Sequence, residues 1–403
     1  MMTQMTHPEV AGYNEIVAEA VVIKAKYALA HPEATPKDFT QEIRMVSRSG
    51  APESWLRAVQ ATTLARTQPS ATRLFEAIGC WEEFLKQMAA LDRKKYRSLQ
   101  SVRDLASLTL GQLYYEKKDY QKTISTLAKV APESSAYPDA MKTKSWAHLM
   151  IRDYARAEGI SYNFQLDSMV RTYAPDVILV TGISFFENCR YSSAIKSSGL
   201  FFSKYHVLHE WLAHWQKTHE DPYEIALKFL KKDGSIPFEA GVRLVTSPSF
   251  VASQNELNLL FDEDTLMNEL VKSTLLRSVA VDFTKRRAFF EANAMAGLRK
   301  ALTDRLVTLN KDLEVNSELA QLLEVDSQNR MGERTMQAYA NRDKAKPVAG
   351  AKPERSPAEA KHIGLSWANF TAQTIKHEEV WEDELEFLKA DISNDCKAPA
   401  ARK

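Results

Sequence analysis

The sequence predicts an all-α fold in which antiparallel helix pairs stack into an α-solenoid. Of its 403 residues, 44% are hydrophobic and 26% are charged, which provides enough apolar side chains for a core. Glycine is scarce, at 13 residues, and this suits helices joined by short turns better than folds built on glycine-rich loops. The strongest indication is a set of three residue types that recur together, first after 34 residues and then after 37.

The N-terminal part of the chain is predicted to form helical hairpins. Apolar residues recur at three- and four-residue spacing over 7–31, and Pro32 ends that helix because the residue before proline avoids the helical region. Residues 36–48 predict a second helix. Pro52 is placed at the start of a third, and Ser70 is a suitable N-cap for a fourth.

The recurring residues mark three helix pairs, each with a first helix A and a second helix B. They are a small residue on helix A (Gly111, Ser145, Gly182), a tyrosine after the turn (Tyr120, Tyr154, Tyr191) and a small residue on helix B (Thr123, Ala157, Ala194). Helices approach closely only where side chains are small, so the small residues are expected to face each other at the crossing. Each pair alone leaves an apolar face exposed, which stacking is expected to cover.

The stretch LGQLYYEKKDYQKTISTLAKV, which runs from Leu110 to Val130, resembles the tetratricopeptide repeat. The second stretch has Ser145 where that family usually has glycine, and Thr123 replaces the usual alanine in the first. The resemblance implies a stack of helix pairs that binds other proteins.

In stacked repeats the A helices line a concave groove, so the register predicts which residues face a partner. These are Gln112, Tyr115, Glu116, Lys142, Trp146, Leu149, Ile183, Phe186 and Glu187. A groove of this composition is apolar and aromatic with few charges, and it suits an amphipathic helix or an extended peptide. The alternative, that the aromatic residues form core between repeats, stays open.

Helices are expected to continue beyond the repeats. Four leucines, Leu302, Leu306, Leu309 and Leu313, are spaced by 4, 3 and 4 residues. This is less than two heptads, so it favours antiparallel packing within the protein over a coiled coil. Residues 343–362 are rich in Lys, Ala, Pro and Glu and predict a flexible linker. Apolar residues then return and predict a docking segment, with Trp367, Phe370, Trp381, Leu385 and Phe387.

The order of these segments over about 100–396 resembles a largely uncharacterised group of bacterial envelope tetratricopeptide-repeat proteins of the deltaproteobacterial type. The resemblance is carried by Cys189-Arg190-Tyr191, by Gly332-Glu333-Arg334, and by Trp381-Glu382-Asp383-Glu384-Leu385 followed by Cys396. It implies a place in a cell-envelope assembly, and some relatives are tied to motility complexes. Members usually carry an export signal, whereas Met1 to Val10 has no charged region followed by an apolar one.

The docking segment is expected to fold back onto the repeats of its own chain. A linker of about 20 residues reaches roughly 25 Å by random-coil scaling. In that arrangement Cys396 is expected to pair with Cys189, and Cys80 is left free. Such a bond requires an oxidising compartment, in agreement with the envelope resemblance.

Charge and hydropathy argue against two classes of partner. The net charge is +1, with 53 basic and 52 acidic residues, so the chain lacks the positive balance of nucleic-acid-binding proteins. The sequence contains no apolar run of about 18 residues, so no transmembrane segment is expected.

The alternative from another functional class is a metal- or thiol-dependent enzyme. His206, Glu210 and His214 share a helix face, but the run HEWLAH departs from H-E-x-x-H because its second histidine comes one residue late. Cys189 is expected in a turn without a positioned base. We therefore expect no catalytic residues, no cofactor and no bound metal.

The sequence favours a protein–protein interaction scaffold in a bacterial envelope assembly, located in the periplasm if an export signal has been removed and otherwise in the cytoplasm. The runner-up is a cytoplasmic tetratricopeptide-repeat adaptor in a polarity or motility pathway. The expected organisation is N-terminal hairpins over 1–100, repeats over 101–205, a helical extension over 206–342, a linker over 343–362, and a docking segment with its tail over 363–403.

Overall fold

The computed structural model describes residues 53–90, 100–165, 169, 172–270, 272, 277–344 and 395–396. About 84% of these described residues are helical and none is in a strand, so the predicted all-α class is confirmed. They form twelve helices: α1 (Glu53–Thr67), α2 (Ala71–Ala90), α3 (Gln100–Glu116), α4 (Tyr120–Leu127), α5 (Tyr137–Met150), α6 (Tyr154–Tyr162), α7 (Pro175–Glu187), α8 (Tyr191–Thr218), α9 (Pro222–Leu230), α10 (Phe238–Val245), α11 (Pro248–Leu270) and α12 (Arg277–Lys344). The predicted helices over 7–31 and 36–48 lie outside the described residues.

The helices belong to two compact units, one that contains α1–α6 and one that contains α7–α12. In the first unit, α1 packs on α2, α2 on α3, and α3 on both α4 and α5. Ser70 caps α2 as predicted, because the backbone N–H of Arg73 donates to its hydroxyl at 3.3 Å.

The core of the α1–α2 hairpin is an aromatic cluster. Trp55, Trp81 and Phe84 are at most 2% exposed, and their ring centroids lie 5.0–5.8 Å apart. The indole N–H of Trp81 donates to the hydroxyl of Thr62 at 2.7 Å, so the one polar atom of this ring is satisfied inside the core.

The three predicted helix pairs are the hairpins α3–α4, α5–α6 and α7–α8. Their three turns have the same backbone geometry. Each turn has a single residue in the left-handed region, Lys118 (φ 65°), Arg152 (φ 61°) or Cys189 (φ 58°), at the spacing of the other repeat markers. In each turn, the N–H of this residue bonds the carbonyl three residues earlier at 2.8–2.9 Å. The next N–H bonds the carbonyl five residues earlier at 2.9 Å. These bonds satisfy the last carbonyls of each A helix.

Aspartates cap the B helices of the first two pairs. Asp119 accepts from the N–H of Lys122 at 3.2 Å, and Asp153 accepts from that of Arg156 at 3.3 Å. The third pair has Arg190 at this position and no side-chain cap, and the Arg190 guanidinium lies 5.1 Å from the Phe185 ring centroid instead.

Asp153 also carries a pH-dependent interaction. Nδ1 of the buried His148 lies 3.3 Å from Oδ2 of Asp153, and this contact holds the pKa of the carboxyl below its ordinary value. A depressed folded-state pKa contributes stability above the unfolded pKa of about 3.9, and the contribution is lost as the pH falls through the folded value. Asp153→Asn is therefore expected to be less stable than the native chain at pH 6, and the difference should shrink towards pH 3.

Urea midpoints measured by circular dichroism at both pH values test this expectation. Asp139→Asn is the matched control, because Asp139 is exposed in the first turn of α5. A destabilisation by Asp153→Asn that is equal at pH 6 and pH 3 would show that the charge has no part in it.

In the second unit, the 68-residue helix α12 packs on α7, α8, α9, α10 and α11. The four predicted leucines, Leu302, Leu306, Leu309 and Leu313, are at most 1% exposed and share a core with Leu208 and Leu212 of α8. Their predicted packing within the protein is confirmed. Helix α8 is continuous across residues 205 and 206, where the sequence suggested a boundary.

Candidate partner-binding site

In the first unit, the predicted groove residues lie on α3 and α5, which contact each other. Gln112, Tyr115, Lys142 and Trp146 are half-buried, Glu116 is exposed, and Leu149 is 8% exposed. The 34-residue repeat pairs Gln112 with Trp146 and Tyr115 with Leu149 on these neighbouring helices. Part of the predicted set is thus accessible, and Leu149 belongs to the interior.

In the second unit, Ile183 and Phe186 are half-buried and Glu187 is exposed. The ring of Phe186 packs against Tyr191 with centroids 5.5 Å apart and an interplanar angle of 62°. Tyr115 and Tyr120 of the first hairpin have the same arrangement, at 5.4 Å and 63°. In these two hairpins the turn tyrosine therefore packs against the aromatic groove residue five positions before it.

The crossing contacts differ in detail from the prediction. Thr123 is fully buried, yet a side chain added at Gly111 would first meet Leu127, one turn further along α4. A Cβ at Gly182 would lie 2.5 Å from a methyl group of Leu323 and 3.2 Å from Cβ of Ser197. The third hairpin thus has a long-range neighbour on α12 that the repeat register does not reveal.

Arg334 of α12 contacts the turn between α7 and α8. Its guanidinium donates to the carbonyl oxygen of Cys189 at 2.9 Å and lies 5.1 Å from the ring centroid of Tyr191. The segments Cys189-Arg190-Tyr191 and Gly332-Glu333-Arg334, both singled out from the sequence, therefore touch each other. The sequence offers no periodic signal for this contact, because Arg334 lies on a stretch of α12, residues 328–340, without buried residues.

Two of the three cysteines are disulfide-bonded. They are Cys189 and Cys396, the two cysteines that the sequence predicted to pair, and Cys80 is free. The docking-segment residues Trp367, Phe370, Trp381, Leu385 and Phe387 lie outside the described residues.

Thiol counting tests this pairing. Burial, followed by the charge of Glu76, raises the pKa of the Cys80 thiol, so its reaction with a thiol reagent is expected to be slow in the native protein. In denaturant without reductant we expect one reactive thiol per chain, and three after reduction. Three reactive thiols before reduction would rule out the bond between Cys189 and Cys396, and Cys80→Ser controls for the assignment.

The histidine cluster does not converge on a metal site. Nδ1 of His206 lies 3.5 Å from Oε2 of Glu210, and both side chains are about two-thirds exposed. His214 is also exposed, and His219 ends α8 in the left-handed region. Across the described part of the chain, no group of three or more His, Cys, Asp and Glu residues is arranged to hold a metal ion.

None of the described helices is both long and apolar enough to span a bilayer. Comparison with protein-family models, with curated proteins and with solved structures yields no match to this chain. Its function therefore has to be argued from its own geometry.

Proposed function

We propose that this protein is a non-catalytic adaptor that binds a helix or an extended peptide across α3 and α5, the A helices of its first two repeated pairs. The observation that carries the proposal is the contact between α3 and α5, on which Gln112 and Trp146 occupy equivalent positions of the repeat and are both half-buried. A tryptophan that keeps part of its ring in contact with solvent is a typical anchor point of protein interfaces.

The repeated hairpin turn supports this proposal. Three hairpins share one turn geometry, and the A helices of the first two, α3 and α5, contact each other, as the resemblance to tetratricopeptide repeats implies. The surrounding charges are few: Glu116 is exposed and Lys142 is half-buried. A partner segment with an apolar face and isolated charges of either sign would complement this surface.

We further propose that the adaptor works in an oxidising compartment of the bacterial envelope. The disulfide-bonded cysteines support this location, because disulfides persist in such compartments and are rare in the cytosol. The resemblance argued from the sequence suggests an envelope assembly, with motility complexes as one candidate.

An affinity capture from the native organism, with chemical cross-linking, tests the adaptor proposal. Trp146→Ala is expected to reduce recovery of a captured partner at least about tenfold, the effect of losing one interface anchor. Phe75→Ala is the matched control: Phe75 is a 53% exposed aromatic residue on α2. Equal recovery with both variants would contradict the proposal.

A second arm of the capture experiment addresses the predicted docking segment. A chain that ends at Asp343 removes it. A partner that binds only this shortened chain shows that the segment occupies the binding site, and a partner that binds only the intact chain shows that the segment is itself the docking element.

A further inference from the structure

Helix α12 has two seams on nearly opposite faces. The inner seam is buried or half-buried in the second unit and contains Leu306, Leu309, Leu313, Asn316, Ala320, Leu323 and Ser327. What we name the outer seam is exposed and contains Val315, Leu322, Val325, Asn329, Gly332, Met336 and Tyr339. The described part of the second unit therefore uses only one of the two seams.

The outer seam follows a heptad repeat. Val315, Leu322, Asn329 and Met336 recur every seven residues and occupy the a positions. The d positions are Glu318, Val325, Gly332 and Tyr339, again seven residues apart. The seam spans 25 residues, or about 36 Å of helix, which exceeds three heptads and reaches the length expected of a coiled coil.

We propose that the outer seam pairs with the outer seam of a second copy of this chain, as a parallel, in-register, two-stranded coiled coil. The a-position residues favour this pairing. Asn329 lies at the centre of an apolar series, where a single asparagine specifies register and two strands at a cost in stability. In register, Asn329 faces Asn329 of the second copy, so the two amides hydrogen-bond each other.

The flanking charges favour the parallel over the antiparallel orientation. In the parallel pair, g positions face the following e positions, which places Gln321 beside Asp326 of the second copy and Gln328 beside Glu333. Neither contact repels. In an antiparallel pair that aligns the same apolar positions, Asp326 of each copy would lie next to Glu333 of the other copy. These two like-charged contacts would repel. Glu318, at the d position between Val315 and Leu322, faces Glu318 of the second copy and is the one like-charged core contact of the seam.

The size of the contact is adequate for a specific dimer. Side chains at the a, d, e and g positions over this length bury roughly 1,000 Å² in total, at the lower limit for specific interfaces. A side chain at Gly332 would meet nothing within 4 Å, and the seven outer-seam residues are all exposed in the described part of the chain. A moderate, concentration-dependent association is the expected strength.

Sedimentation equilibrium of the full chain tests this dimer, with Leu322→Arg as the disruptive variant. Leu322 is 60% exposed, so the variant is expected to keep its helical circular dichroism. Two arginines that face each other at an a position should raise the dimer dissociation constant about hundredfold or more. Met331→Arg is the matched control, because Met331 is 44% exposed on the same helix at a c position, away from the seam.

A monomer across the accessible concentration range would overturn the proposal. A dimer that Leu322→Arg and Met331→Arg weaken equally would do the same. Asn329→Cys tests the register: under oxidation, peptide mapping should recover a disulfide between Cys residues at position 329 of the two copies. A dimer in which this cross-link does not form contradicts the parallel, in-register arrangement.

Discussion

Replacing Gly182 with leucine is expected to lower the free energy of unfolding of the second unit by about 2 kcal/mol or more. Even a single methyl group at this position would meet Leu323 of α12 and Cβ of Ser197 on α8. A leucine therefore has to separate three packed helices or force its neighbours out of their preferred rotamers. The gain in helix propensity over glycine, about 1 kcal/mol, is too small to compensate.

Gly199→Leu is the control for this prediction. Gly199 lies on α8 of the same unit, is exposed, and has open space around its Cβ position. The same chemical change there should be neutral or stabilising. Hydrogen exchange of peptides from α7, α8 and α12 measures the effect locally, which matters because a protein of two units need not unfold in one transition. Equal protection in both glycine variants would show that the α7–α12 contact is loose.

The repeated hairpins were accessible to sequence reasoning because the turn imposes local rules. A left-handed residue has to follow each A helix, a ring has to fill the gap beside it, and small residues have to stand where helices cross. These constraints act within one hairpin and recur with it. They predicted the all-α class, the turn at Cys189 and the burial of Ala157 and Ala194.

The contacts of α12 with the third hairpin could not be predicted from local sequence patterns. Leu323 and Arg334 meet the third hairpin through contacts far apart in sequence, and nothing local to either segment specifies the pairing. The sequence predicted the inner seam only over its leucine-rich part. The seam continues through Asn316 and Ser327, which are buried but polar, so a search for apolar spacing does not find them. The same limit applies to the candidate groove, where Leu149 is buried and Trp146 is not.

Replacing Trp81 with alanine is expected to destabilise the α1–α2 hairpin by about 4 kcal/mol. Trp81 is completely buried, in edge contact with Trp55 and Phe84, and its removal leaves a cavity that two rigid helices cannot close. The hydroxyl of Thr62 keeps its own bond to the carbonyl of Ala58, at 2.8 Å, so the lost packing accounts for most of the effect. Urea denaturation with hydrogen exchange over 53–90 measures it.

Trp81→Phe separates packing from hydrogen bonding at the same site. It keeps an aromatic ring against Trp55 but removes the N–H that the Thr62 hydroxyl accepts, so it should cost about 1–2 kcal/mol, clearly less than alanine. Phe75→Ala, at an exposed ring on the same helix, should change stability by less than about 0.5 kcal/mol. If Trp81→Ala destabilised the hairpin as little as Phe75→Ala, the cluster of Trp55, Trp81 and Phe84 would not be the core that stabilises it. The hydrogen bond from Trp81 to Thr62 would then not contribute to its stability either.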